Sequence, residues 1–332
     1  MEKIADIYLI AGQSNAVGST LITGGAGACY QTQKDKSFLD ETLCYPHVLY
    51  NHVAHTLTKG GGYRITDFVP VTQGLGFTPE RKHIGPELGM AQILDPIYAK
   101  KENTDAIIIK VASGGTKLTH HFDDANQPLE EIIAKDGYSG NFGTWYPESM
   151  WDVRDGENKV DLWSERYYRL PTGFLFREFV SFIKDNFKWL KDRGYTQINF
   201  KALCWMQGES DRGVPDLYQT CFSAFASDLR RCVSEISGQD YSLLPIICGE
   251  ISRTFMSALP DSTKMNEEFI AMQNGLEKII PGVYIVPSAS FDINLLNDKG
   301  ESVAEGSDCA HFNYEDMLSL GKAFAQKCIE IG

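Results

Sequence analysis

Five short apolar runs, separated by longer segments of helical periodicity, constrain this chain more than any other feature. Ala5–Ala11, Ala106–Ala112, Ile198–Trp205, Leu244–Cys248 and Val283–Val286 have the length and near-continuous hydrophobicity of buried strands. Segments at about Pro86–Lys101, Thr172–Arg193, Pro215–Ile236, Met265–Ile280 and Tyr314–Ile329 read as amphipathic helices. In the second of these, Phe176, Phe179, Val180, Ile183, Phe187 and Leu190 share one face, with Thr172 as a candidate N-cap and Gly194 as a stop. Strands that alternate with helices imply βαβ units and right-handed crossovers. The expected fold is therefore α/β, a doubly wound three-layer sheet of about five parallel strands.

The 332 residues, 43% of them hydrophobic, suffice for one large domain or two small ones. Without a repeat or a linker, the expectation is one domain over 1–332 with a loop-rich insertion at about 117–171. The stretch between the first strand and the first long helix is rich in Gly, Thr and His and reads as long loops with short elements.

The formal net charge of -13 argues against nucleic acid or an anionic membrane as partner, since both are bound through clustered Lys and Arg. No run approaches the ~20 apolar residues of a membrane span, so no membrane insertion is expected. Met1-Glu2-Lys3-Ile4 leads straight into the first strand without the pattern of a secretion signal. The expectation is a cytoplasmic protein, or a periplasmic or secreted one whose signal has been removed. The eight cysteines contain no C-x-x-C pair and are expected as free thiols, with a Cys29–Cys44 bridge as the alternative.

In open parallel sheets, ligands bind outside the carboxyl ends of the strands, so the turn after each strand matters most. Gly12-Gln13-Ser14-Asn15 follows the first strand, Ser113-Gly114-Gly115-Thr116 the second, and Met206-Gln207-Gly208-Glu209-Ser210-Asp211 the third. Asp308-Cys309-Ala310-His311 precedes the last helix. A serine hydroxyl needs a base in reach, and the base needs a group to fix its tautomer. Ser14, His311 and Asp308 can fill these roles in that order. An oxyanion needs preorganised donors, and the Ser14 N–H, an N–H of Gly114 or Gly115 and the Gln207 side-chain amide are suitable in kind.

Each element alone has a plainer reading. Ser14 is an ordinary loop serine, Asp308 and His311 cap a helix, Gly114-Gly115 is a turn, and Gln207 and Glu209 bond within their loop. The chemistry rests on their arrival at one sheet edge. His120-His121-Phe122-Asp123-Asp124 matches no zinc spacing and reads as a solvated loop, so no metal is expected. The insertion carries Trp145, Tyr146, Trp151, Trp163, Tyr167 and Tyr168, suited either to stacking on sugar rings or to anchoring the loop by burial.

Gly-Gln-Ser-Asn-Ala after the first strand, Ile84-Gly85-Pro86-Glu87-Leu88, Gly-Gly-Thr, Trp-Met-Gln-Gly-Glu-Ser-Asp and the terminal Asp-x-x-His-Phe together resemble the sialate O-acetylesterase-like branch of the SGNH hydrolases. That branch includes carbohydrate esterase family six, the acetylxylan esterases. The resemblance implies a flavodoxin-like SGNH-hydrolase fold and a carbohydrate O-acetylesterase acting on acetylated xylan or sialic acid, without metal or organic cofactor. It implies Ser14 as nucleophile, His311 as base, Asp308 as acid and Gly115 or Gly114 in the oxyanion hole. Gln207 stands where other branches carry asparagine, and Gln13, Asn15 and Glu209 have supporting places. Glu209 either holds its loop or interacts with His311. A general short-chain carboxylesterase and an inactive carbohydrate-binding protein are the alternatives, and the oligomeric state is left open.

Overall fold

The computed structural model describes residues 2–21, 40, 42–55, 62–65, 67–76, 83–119, 144–150, 173–256, 261–290 and 310–332. A central sheet is built on three long strands, β1 (Ile4–Gly12), β7 (Thr104–Ser113) and β8 (Gln197–Met206), with β1 between the other two and parallel to both. Beyond β8 lie β9 (Ile246–Gly249) and β10 (Val283–Val286), and beyond β7 lies β3 (Cys44–His55), all still parallel. Two short strands, β4 (Gly62–Arg64) and β5 (Val69–Thr72), pair antiparallel with β3. A separate two-stranded ladder joins β2 (Thr20–Leu21) to β6 (His83–Ile84).

Side chains alternate across this sheet with period two, and helices cover both faces. Ile7, Leu9 and Ala11 of β1 pack with Phe176, Phe179 and Ile183 of α3 (Phe174–Asp192), Phe222 and Phe225 of α4 (Pro215–Ser237) and Phe269 of α5 (Ser262–Ile279). Tyr8 and Ile10 face the other way, toward Leu88, Ala91 and Leu94 of α2 (Pro86–Tyr98) and Leu320 and Phe324 of α6 (Tyr314–Ile331). The short turn α1 (Ser14–Val17) joins this second layer through Ala16 and Val17. The three-layer, mostly parallel fold expected from the sequence is the observed one.

All five expected strands are present, and among the described residues β3 adds a sixth parallel strand in the stretch expected as long loops with short elements. Its apolar pattern is interrupted by Pro46 and by two buried polar residues, Asn51 and His52. Asn51 is accommodated by donating to the Asn186 Oδ1 at 2.7 Å, and burial holds the His52 pKa well down, with Lys110 adding to the effect. Thr172 lies outside the described residues, and α3 instead follows Gly173 in a left-handed conformation. Cys204, Cys221, Cys232, Cys248 and Cys328 are buried free thiols and Cys44 is an exposed one; Cys29 and Cys309 lie outside the described residues. Among those residues no helix is long and apolar enough to cross a membrane.

Helices α2 and α6 cross at glycine. A Cβ on Gly321 would lie 2.1 Å from the Pro86 carbonyl oxygen, and one on Gly89 would lie 2.2 Å from the Leu318 carbonyl oxygen. This crossing seats the helix that begins just after His311. Gly321→Val is expected to destabilise the fold by roughly 2–3 kcal/mol or more through overpacking. Urea unfolding checks it, and an unchanged midpoint would mean that the helix pair is free to separate.

Candidate active site

Strands β1, β7 and β8 end side by side, and their turns are tied by a continuous set of hydrogen bonds. At the end of β1, Gly12 has φ +141°, and a Cβ there would lie 2.0 Å from the Met206 carbonyl oxygen. Only glycine lets β1 close on β8 in this way. The Gln13 N–H then donates to that same carbonyl at 2.9 Å. Ser14 opens α1, which Gly18 ends in a left-handed conformation, its N–H donating to the Ser14 carbonyl at 3.0 Å. Gln13, Asn15, Ala16 and Val17 are all buried, and Ser14 is the partly exposed residue among them.

Gly114 and Gly115, at the end of β7, are likewise part-exposed. A Cβ on Gly114 would lie 3.6 Å from that of Ser14, so the two turns touch. Gly115 has φ +67°, which turns the chain into the buried segment Thr116–Thr119. Asp211, fully buried, holds this segment: its carboxylate accepts from the Leu118 N–H at 2.9 Å, the Thr119 N–H at 3.1 Å and the Thr119 hydroxyl at 2.6 Å.

Gln207 is fully buried beside it. Its amide nitrogen donates to Asp211 and to the Thr116 carbonyl at 3.1 Å, and lies 3.4 Å from the Gln13 Oε1. The Gln207 side chain, expected among the oxyanion donors, is engaged here with the turns around it. Its N–H groups face a carboxylate and a carbonyl, both acceptors, and are spent on holding the β7 and β8 turns together. Gln13 completes this link, since its Oε1 also accepts from the Ser210 N–H at 3.3 Å.

His311 reaches the site through Asn15. The Asn15 Oδ1 accepts from the Phe312 N–H at 3.2 Å, and its Nδ2 donates to the Ala310 carbonyl at 3.4 Å. The residue after Ser14 thus grips both neighbours of His311. The same Nδ2 donates to the Glu209 Oε1 at 2.8 Å, and the Thr20 hydroxyl secures the Phe312 carbonyl at 2.7 Å. Glu209 is buried; burial pushes its pKa up, against the Asn15 bond and the positive potential of His311 and Arg212. Glu209 bonds to Asn15 and lies within the electrostatic reach of His311.

Helix α6 is capped by Asn313, whose side chain accepts from the Asp316 N–H. His311 is thus not its cap. Asp308 lies outside the described residues, as do the 120–124 segment and Trp151, Trp163, Tyr167 and Tyr168. Trp145 anchors by burial: it is fully enclosed, lies edge-on to Trp205 at 5.1 Å and donates from its indole to the Thr116 hydroxyl at 3.1 Å. Asp211 and the clamp made by Asn15 are structural features of the candidate site to which the sequence alone assigns no specific role. The signal present was the alternate spacing of Gln207, Glu209 and Asp211.

A family model described as "Carbohydrate esterase, sialic acid-specific acetylesterase" matches residues 155–330. The chain belongs to this family. It is an esterase of the carbohydrate acetylesterase class. The matched span contains the 205–211 block, Asp308 and His311, while Ser14 and Gly114 precede it, and their neighbours in the chain bond to it. Two solved structures share the fold of this carbohydrate esterase at 16% identity each. One is a protein from Arabidopsis thaliana (98% of this chain, 98% of that chain, TM-score 0.53). The other is NanS (99% of this chain, 98% of that chain, TM-score 0.55). A search of curated protein sequences gives no match.

Asn15→Ala should release the His311 loop and lower kcat roughly 10- to 100-fold without unfolding the protein. Steady-state kinetics with circular dichroism check this, and a folded variant with wild-type kcat would show that the clamp is dispensable. The Glu209 shift has a defined sign. A carboxyl whose pKa is raised by folding stabilises the native state below its unfolded pKa, and this contribution is lost as pH climbs through the folded one. Glu209→Gln, which still accepts from Asn15, should therefore gain stability relative to wild type as pH rises through that window. Urea unfolding across a pH series measures the difference, and a pH-independent difference would contradict it.

Proposed function

We propose that this esterase removes acetyl groups from sugar hydroxyls through an acyl-enzyme formed on Ser14. The observation that carries the reading is the grip of Asn15 on the residues flanking His311, because it ties the base to the turn that presents the serine. His311 takes the Ser14 proton as the hydroxyl oxygen attacks the acetyl carbonyl. The tetrahedral oxyanion is received by the backbone N–H of Ser14, at the open start of α1, and by an N–H of Gly114 or Gly115. The C–O bond to the sugar then breaks, and the imidazolium returns the proton to the departing alcohol. Water, deprotonated in turn by His311, attacks the acetyl-serine and releases acetate.

Asp308, three residues before His311, is assigned to orient the imidazole and to stabilise its charged form. Every proton has a donor and an acceptor among these groups, so the reaction as written needs no metal or organic cofactor. Of the two acetylated sugars that the sequence admits, the family description favours sialic acid over xylan. The aromatics of the insertion beyond Trp145 remain suited to the sugar.

Ser14→Ala is expected to lower acetate release by roughly 10⁴-fold or more, His311→Ala similarly, and Asp308→Ala less than His311→Ala. Near-wild-type turnover of 4-nitrophenyl acetate by Ser14→Ala would refute the nucleophile assignment. Acetate release across acetylated sialic acid, acetylated xylan and longer acyl esters sets the substrate. Preference for longer acyl chains would indicate a general esterase, and glycan binding without release a binding protein.

A further inference from the structure

Lys110 of β7 and Glu87 in the first turn of α2 form an ion pair at 2.8 Å with both side chains 1% exposed. Enclosing two charges costs several kcal/mol per ion after relaxation, and an apolar pair of like volume is often equally stable or more so. Stability alone therefore gives no reason for this pair. Burial lowers the Lys110 pKa, and the Glu87 charge opposes the shift. The geometry supplies what an apolar pair could not. The Lys110 Nζ also donates at 2.8 Å to the Val17 carbonyl, the last of α1, and Glu87 accepts from the Gly85 N–H at 3.1 Å. Gly85 lies against Gly18, the residue that ends α1: a Cβ on Gly18 would lie 2.6 Å from the Gly85 Cα.

The pair thus grips the last carbonyl of α1 directly and its terminating glycine through Gly85. Ser14 stands at the other end of the same four-residue turn. We infer that Lys110 and Glu87 are positioning residues for the nucleophile, fixing the far end of α1 so that the Ser14 hydroxyl keeps its place beside Gly114. A single helical turn has too few internal bonds to hold itself, and a small displacement of a reacting atom is costly in rate. The inference rests on the assignment of Ser14 as nucleophile.

The test is Lys110→Met/Glu87→Gln, which removes both charges together and retains an acceptor for the Gly85 N–H. The expected result is a folded enzyme with kcat for 4-nitrophenyl acetate lowered roughly 10- to 100-fold and KM little changed. Phosphorylation of Ser14 by diethyl 4-nitrophenyl phosphate should slow in parallel. A purely structural pair would lower Tm and leave kcat per folded enzyme intact, and that result would overturn the inference. If the double variant does not fold, Glu87→Asp keeps the charge and shortens its reach. It should lose at least severalfold in kcat, and wild-type kcat in that variant would equally overturn the inference. Neither result touches the nucleophile assignment, which stands or falls with Ser14→Ala.

Discussion

The Asp211 carboxylate is the interaction on which the candidate site depends. A buried charge is tolerable only when donors replace its lost water, and Asp211 accepts from Leu118, twice from Thr119, and from Gln207. Three of those bonds come from the segment that follows Gly114-Gly115, so meeting the needs of the charge also fixes the loop. The Gln207 bond carries the restraint to Thr116 and Gln13. Oxyanion donors act by being in place before charge develops, and a glycine pair can be preorganised only by its neighbours.

Two residues earlier, Glu209 obeys the same physics with a different balance. One oxygen accepts from Asn15, while the other has no hydrogen-bond partner among the described residues. Burial consequently dominates and its pKa rises, whereas His311 and Arg212 pull the other way. Within one short block, a carboxylate surrounded by donors serves as an anchor, and for one with fewer donors burial outweighs the nearby His311 and Arg212. The alternate spacing sends the first toward the β7 turn and the second toward Asn15.

These differences explain what could be read in the sequence. The strands β1, β7 and β8 announce themselves because both faces are apolar, and the turns after them stand out by contrast. β3 stayed hidden because Asn51 and His52 occupy buried positions in it, and partners such as Asn186 are far off in the chain. Ser14 and His311, the residues proposed to carry the chemistry, stand in motifs that the sequence displays. The bonds around them are less legible: the sequence shows the Gln207 amide but not the acceptors around it, and no local pattern announces that Lys110 meets Val17 and Glu87.

The four-residue turn that carries Ser14 makes the dependence plain. Two of its residues and the two that flank it are secured by different parts of the chain. Gln13 is fixed by Met206, Gln207 and Ser210, Asn15 by Glu209 and the residues around His311, Val17 by Lys110, and Gly18 by contact with Gly85. An isolated turn of this length would not persist in water. Its rigidity is therefore imported from the sheet edge and from the side of α2 and α6, and Ser14 is the residue of the turn left partly exposed. The nucleophile proposed at Ser14 must be exposed and yet immobile, and a short turn restrained on either side of that residue meets both requirements.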